Sequence, residues 1–537
     1  MNPAQVMNLG ELLAQTARRF PTRAGLIQNG QSVNWQTLDQ RVDAAVLGLG
    51  ERGLKKGDKL LVLSRNNQAL FESAWVAFRM GLVWVPCNFR LTPPEVSYLA
   101  QSSHARALLI ESVFEEHLQA IRAAAPDLQQ VLSVEEGWPA LIGQALAMTG
   151  QSDPSKREGL LVEPATVSAD DPLWFFYTSG TTGHPKAGML THGQMAFVVT
   201  NHLADLIPGT TEEDVSIAVA PLSHGAGIHM LLNVARGAAT VLLPNEKLDP
   251  PTVWSLVEQH RVSNLFTVPT IVKRLVEDPS VDQYDHSSLR YVIYAGAPMY
   301  RANQRKALET LGPVLVQYFG LGEVTGCITV LPPHMHSADD NDPNANIGSC
   351  GYPRTGMEVA ILDEDCQRLP TGQIGEICVR GPAVFSGYYN NPEATTKALR
   401  GGWFHTGDLG KLDERGFLTI TGRQSDMYIS GGSNVYPKEA EEVLLTHPQV
   451  SEVAIFGIED PDWGETGVAV VVAKDPKDPP SQQALETFLE GRLAKYRWPR
   501  HWFFWTEMPK SGYGKIVKKD LKAMLESQGQ LPSRSVH

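Results

Sequence analysis

An α/β fold of at least two domains is predicted by three features of the chain: its 537 residues, an alternation of short apolar runs with helix-patterned stretches, and a change of pattern after about residue 424. The length is several times that of a usual domain, and 42% hydrophobic residues supply more than one core. From residue 59 the order is an apolar run (Lys59–Leu63), a helix pattern (Gln68–Met80), a second run over 82–85, a capped helix from Thr92 and a third run over 107–110. That order reads β-α-β-α-β. The helix after Thr92 carries Pro93 at its first position and Glu95 at its third, where backbone N–H groups lack intrahelical partners. A helix pattern over 253–260 followed by an apolar run over 264–268 repeats the alternation. The large domain, 1–424, is therefore expected to hold stacked mixed sheets with helices.

The smaller α+β unit, 425–537, is predicted from a helix over 438–445, apolar runs over 453–456 and 468–473, and a helix near 484–493, with a Pro-rich loop at 475–480. At the other end, Leu9, Leu12, Leu13, Ala17 and Phe20 have helical spacing behind an Asn8 cap. Arg18 and Arg19 follow the apolar residues, the reverse of a secretory signal, so an amphipathic surface helix is expected.

Composition removes several functions. With 46 basic and 59 acidic residues the net charge is -13, which repels nucleic acid phosphates and anionic membrane surfaces. The most apolar window, 75–87, contains Arg79 and is too short to span a bilayer, so no integral membrane segment is expected. Cys87, Cys327, Cys350, Cys366 and Cys378 form no C-x-x-C pair, which suits a reducing cytoplasm better than a disulfide or zinc framework.

The chemistry concentrates first in residues 177–186, where Thr178, Ser179, Gly180, Thr181, Thr182, Gly183 and Lys186 follow an apolar run. Glycines let backbone N–H groups approach a polyanion, and hydroxyls with an ammonium add donors for phosphate oxygens. The spacing is not that of a Walker A loop. Further along stand Pro221-Leu222-Ser223-His224-Gly225, Gly296-Ala297-Pro298, Phe319-Gly320-Leu321-Gly322-Glu323, Trp403 to Asp408, Gly422-Arg423, the stretch 431–437 and Pro509-Lys510-Ser511-Gly512-Tyr513-Gly514-Lys515. These motifs, in this order, resemble those of the adenylate-forming superfamily of acyl-CoA synthetases, luciferases and peptide synthetase adenylation domains. The resemblance runs over nearly the whole chain.

The resemblance implies a large N-terminal domain, a small mobile C-terminal domain and an active site between them. It assigns Thr178 to Gly183 and Lys186 to ATP phosphates, Glu323 with Thr178 to Mg²⁺, and Gly296, Ala297, Pro298, Tyr318, Phe319, Gly320 and Gly322 to the nucleotide walls. Asp408 is assigned to the ribose, with Ile420 and Arg423 nearby, and Gly431 and Gly432 to the coenzyme A path. Lys515 is the implied adenylation lysine, bridging two anions as they meet. His224 is implied at the acyl site, where a packed, satisfied histidine is the equal alternative.

Besides the motif's aromatic falling on Phe319 with the phenol displaced one position to Tyr318, two departures stand out: Gly322 where the family usually has Thr, and Ser425 at the hinge position usually held by Asp or Lys. Together they keep open an adenylate binder with little turnover. An amino acid substrate is disfavoured because Ser223 and His224 stand where an ammonium-binding Asp is usual, and too few residues follow Lys515 to form a carrier domain. Coenzyme A is the expected acceptor. The stretches 223–229, 294–298 and 320–322, rich in Gly and Ala and without Lys, Arg or Asp, are expected to wall a roomy apolar pocket for a hydrophobic monocarboxylic acid, fatty in preference to aryl. The oligomeric state is left open, a homodimer being compatible with the sequence.

Overall fold

The computed structural model describes residues 7–148, 162–178, 184–297, 299–342, 345–430, 433–510 and 516–531. The expected alternation is present: strand Lys59–Leu63, helix Gln68–Met80, strand Val83–Pro86, helix Pro93–Ser103 and strand Ala107–Ile110. Thr92 and Glu95 form a reciprocal capping box at the start of the fourth of these elements. Asn8 is not a helix cap. The helix Glu11–Arg19 is preceded by Gly10, whose N–H donates to the Asn8 carboxamide at 2.8 Å, while the Asn8 side chain donates to the Ala165 carbonyl at 3.0 Å. Asn8 therefore ties the N-terminal segment to the body of the fold.

Among the described residues the strands form sheets of nine, six, four and five strands. In the nine-stranded sheet the strands Val215–Ala218, Ala239–Leu242, Asn264–Thr267, Tyr291–Tyr294 and Leu315–Phe319 run parallel to their neighbours in this group. Helical crossovers such as Gly225–Arg236 and Pro250–His260 connect them. The six-stranded sheet ends in the hairpin Pro172–Thr178 and Lys186–Thr191. Its Trp174 meets Trp84 edge-on at 4.6 Å between ring centroids. The four-stranded antiparallel sheet ends with Leu418–Arg423, and the five-stranded sheet opens with Tyr428–Ser430. Ser425 lies in the exposed turn between these two sheets.

A helix over Lys518–Ser527 is not among the elements expected from the sequence. Leu521 and Leu525, four residues apart, bury one face of it against Val468 and Val470 of the five-stranded sheet.

One buried ion group braces the first helices of the large domain. Arg79, 2% exposed, holds Asp39 at 2.7 Å and Asp43 at 2.5 Å and also donates to the Gly10 carbonyl at 3.3 Å. Removing the cation takes the Arg79 counter-charge from two buried carboxylates, a loss of about 3–5 kcal/mol. Arg79→Ala should therefore lower the thermal unfolding midpoint by several degrees; a midpoint unchanged from wild type would show that the carboxylates find other partners.

Candidate active site

The segments singled out in the sequence follow the C-terminal ends of strands from two different sheets, the usual place for a ligand crevice in α/β proteins. Thr178 ends Pro172–Thr178, His224 follows Val215–Ala218, Gly296 follows Tyr291–Tyr294, and Glu323 follows Leu315–Phe319. The register of the hairpin sets Thr178 opposite Lys186.

At the centre is Glu323, 5% exposed, in the short turn Gly322–Val324. Its Oε1 accepts from the Thr178 hydroxyl at 2.9 Å and from the Tyr388 phenol at 2.9 Å. Tyr388 is brought there by a backbone zipper: Phe385 N–H donates to the Glu323 carbonyl at 2.8 Å, Met189 N–H to Gly387 at 2.9 Å and Tyr389 N–H to Ala187 at 2.9 Å. Burial, and then the Glu323 charge and hydrogen bond, push the Tyr388 phenol up, so it stays protonated and donates. The Lys186 ammonium sits over the Tyr388 ring, 5.4 Å from its centroid. Glu323, Thr178, Tyr388 and Lys186 thus form one cluster. Its donors for a cation are all oxygen, the chemistry Mg²⁺ takes, and a lysine for phosphate stands beside them. Tyr388 was not found from the sequence; it lies outside every recognised motif.

Asp408, 5% exposed, faces Arg423 across the strands Phe404–Leu412 and Leu418–Arg423, with 3.1 Å between carboxylate and guanidinium. The first half of its strand is held by Glu376, whose carboxylate accepts from Gly407 N–H at 3.0 Å, His405 Nδ1 at 2.7 Å and Arg400 at 2.9 Å. Glu376, Cys378 and His405 are close enough to suggest metal ligands, yet these bonds already engage the carboxylate as a brace for the Asp408 strand. The Ile420 carbonyl accepts from the Lys438 ammonium at 2.7 Å, a contact between the four-stranded sheet and the helix Pro437–Leu445. Ser179, Gly180, Thr181, Thr182, Gly183, Pro298, Gly431, Gly432 and Lys515 lie outside the described residues.

The structure corrects the roomy pocket expected from glycine-rich walls. A Cβ on Gly322 would stand 2.5 Å from the Phe176 ring, on Gly225 2.8 Å from the Phe266 ring, and on Gly227 2.1 Å from the Leu222 carbonyl oxygen. These glycines are already backed by aromatic rings or main chain. His224, half-buried, packs its ring against Phe176 at 4.4 Å. Phe176 therefore fills the space beside Gly322 that a threonine side chain would need.

Tyr318 is corrected as well. It was grouped with the nucleotide walls, but strand alternation points it away from Phe319. Its ring stacks on Phe266 at 5.8 Å and on His229 at 5.9 Å, while His229 and Phe266 stack at 4.3 Å with a 10° interplanar angle. Behind them lies an arginine that the motif stretches do not contain. Arg354, 1% exposed, pairs with Asp205 at 3.2 Å and donates to the Gly326 carbonyl at 3.2 Å. Its charge is thus engaged by protein groups.

Over residues 13–389 the chain matches the AMP-binding enzyme family, and over 439–515 the AMP-binding enzyme C-terminal domain. It belongs to that family, as an adenylate-forming enzyme of the acyl-CoA synthetase branch. It is an AMP-forming acid–thiol ligase, with ATP, Mg²⁺ and coenzyme A as the reactants and cofactor of that chemistry. A feruloyl-CoA synthase from an Amycolatopsis species is 34% identical over 516 residues, covering 96% of this chain and 98% of the relative. A long-chain-fatty-acid–CoA ligase from Escherichia coli O6:H1 is 29% identical over 564 aligned positions, covering 100% and 97%. The crystal structure of ATP-bound MatB from Rhodopseudomonas palustris is similar with a TM-score of 0.84 at 28% identity, over 97% of this chain and 100% of that one. No helix among the described residues is long and apolar enough to cross a membrane.

The filled space beside Gly322 gives a direct test. Gly322→Thr should overpack the site at a cost of about 1–3 kcal/mol and slow pyrophosphate release. Combining it with Phe176→Ala should recover part of the loss, whereas a single variant as fast and as stable as wild type would show that the Phe176 ring does not hold that space.

Proposed function

We propose that this enzyme activates a compact hydrophobic monocarboxylic acid, aryl in preference to long-chain fatty, and transfers it to coenzyme A. The observation that carries the choice of acid is the near-parallel packing of His229, Phe266 and Tyr318 beside the stretch 223–229 read as an acyl wall. The similarity to a feruloyl-CoA synthase supports the aryl reading, and the similarity to a long-chain ligase supports a fatty acid as the second.

Adenylation begins with attack of the substrate carboxylate on the α-phosphate of ATP, forming the acyl adenylate and releasing pyrophosphate. In this reading Lys186 and the hydroxyls and N–H groups of residues 178–183 hold the phosphates. Thr178 and Glu323 would hold Mg²⁺, which supplies charge neutralisation on the phosphate oxygens. Tyr388 keeps the Glu323 carboxylate aimed by donating to it. Asp408 receives the ribose hydroxyls, held in place by Arg423 and the Glu376 brace. The thiol of coenzyme A then attacks the acyl carbonyl, forming the thioester and expelling AMP.

The two steps ask for different surroundings. Lys515 serves the first, where two anions approach each other, and the segment around Gly431 and Gly432 serves the second. Residues 1–424 and 425–537 act as the two domains, turning about the exposed segment at Ser425. A cytoplasmic enzyme is the reading that the five free cysteines support.

A half-reaction comparison tests both activity and division of labour. Wild-type enzyme should release pyrophosphate from ATP, Mg²⁺ and an aryl acid, and consume coenzyme A. Lys515→Ala should lose pyrophosphate release by roughly 10²-fold or more, the scale of a lost transition-state charge contact. It should still convert supplied acyl adenylate and coenzyme A to thioester at close to the wild-type rate. Equal impairment of both steps would reject the domain alternation, and no turnover of any acid by wild type would leave only an adenylate binder.

A further inference from the structure

The loop between the strand Lys59–Leu63 and the helix Gln68–Met80 lies outside the motifs read from the sequence, yet one of its side chains holds the stretch that carries His224. Asn66 donates from Nδ2 to the Ala220 carbonyl at 2.9 Å and accepts at Oδ1 from the Leu222 N–H at 2.9 Å, across 154 and 156 residues of chain. Those two backbone groups flank Pro221, which has no N–H of its own. They are also the pair that one residue of a parallel neighbouring strand would engage. The carboxamide thus acts as one further unit of sheet pairing. It joins a loop of the six-stranded sheet to the chain leaving the strand Val215–Ala218 of the nine-stranded sheet.

This clamp has a fixed base. Arg65 donates its backbone N–H and its Nε to the two oxygens of Glu111, each at 2.8 Å, and Glu111 is buried. On the other side Asn67 caps the helix by accepting from the Leu70 N–H at 2.9 Å. The Asn66 carbonyl itself accepts from Gln28 Nε2 at 3.3 Å.

What the clamp fixes is the place of His224. The His224 N–H donates to the Pro221 carbonyl at 3.1 Å, and the His224 carbonyl accepts from the Gly227 N–H at 2.9 Å. His224 therefore stands between a turn that starts at Pro221 and the first turn of the helix Gly225–Arg236. Its ring lies 4.4 Å from that of Phe176, on the strand that ends in Thr178. Without Asn66 the Ala220 carbonyl and the Leu222 N–H lose this partner, the turn can shift, and the ring shifts with it. A misplacement of about 1 Å costs up to roughly 10²-fold in rate.

We infer, on the acyl-CoA synthetase reading above and its placing of His224 at the acyl site, that Asn66 is a positioning residue for that site and acts through His224.

Pyrophosphate release from ATP, Mg²⁺ and cinnamate, phenylacetate or decanoate tests it, using the acid that wild type turns over fastest. Asn66→Ala should lower kcat/KM for that acid by about tenfold or more. KM for ATP should stay within about threefold of wild type, since the loss concerns the acid and not the nucleotide. The deciding readout is the double variant. Once His224→Ala has removed the ring, adding Asn66→Ala should cost no more than about threefold further, a non-additivity that general loosening of the fold does not produce. The isosteric Asn66→Asp loses only the donor to Ala220 and should show the same pattern. It carries the cycle if Asn66→Ala fails to fold, which ATP binding followed by tryptophan fluorescence reveals. A wild-type kcat/KM in either Asn66 variant, a rise in KM for ATP as large as the loss for the acid, or costs that multiply in the double variant overturns this inference while leaving the ligase reading intact. Pyrophosphate release by wild type with none of the acids overturns both.

Discussion

One carboxylate organises the site. Glu323 is buried, and a buried carboxylate must be hydrogen-bonded or it destabilises the fold that holds it. Its two side-chain partners, Thr178 and Tyr388, are 145 and 65 residues away along the chain. Satisfying one oxygen therefore obliges the end of a strand in the six-stranded sheet, a turn after a strand in the nine-stranded sheet, and a connection between two strands of the four-stranded sheet to meet. The hairpin register that sets Thr178 opposite Lys186 then brings an ammonium to the same place. The residues proposed to hold phosphate and metal thus share a location with the carboxylate that ties these segments together.

The same economy governs the strand proposed for the ribose and the stretches proposed for the acyl group. Glu376 bonds His405 and Gly407 in the first half of the strand Phe404–Leu412 and Arg400 just before it, so Asp408 is presented from a fixed strand and not from a free loop. On the acyl side, missing Cβ atoms at Gly225, Gly227 and Gly322 let Phe266, the Leu222 carbonyl and Phe176 approach the backbone closely. Glycine in this wall is a means of close packing. Lys438 joins the two parts of the molecule by bonding the Ile420 carbonyl, on the strand that also carries Arg423. A change in orientation about Ser425 has to release that bond.

Much of the architecture was legible from the sequence because it is encoded locally. The strands and helices between residues 59 and 110 follow from apolar runs, capping residues and helix spacing, and the motifs at 177–186, 319–323 and 403–408 are contiguous. What was missed depends on contacts between distant segments. Tyr388, Arg354 with Asp205, and the Phe176 ring beside Gly322 leave no local signal, since each acquires meaning only from a partner far along the chain. Counting Gly and Ala overestimated the pocket because composition does not reveal what stands behind a missing Cβ. Tyr318 is different: strand alternation already implies that it and Phe319 face opposite sides, and the motif resemblance obscured that simpler constraint. The helix Lys518–Ser527 was masked by its lysines, although Leu521 and Leu525 have helical spacing.

The role of Glu323 is tested most directly by the Mg²⁺ dependence of ATP binding, measured by calorimetry on wild type and Glu323→Gln. Glutamine keeps the shape and an acceptor for Thr178 and Tyr388 but removes the charge that favours a divalent cation. The wild type should bind ATP more tightly with Mg²⁺ than with chelator, and Glu323→Gln should bind ATP similarly in chelator while losing about tenfold or more of the Mg²⁺ enhancement, the scale of one charge-assisted contact. An enhancement of the same size in both proteins would contradict the assignment of the metal to Glu323.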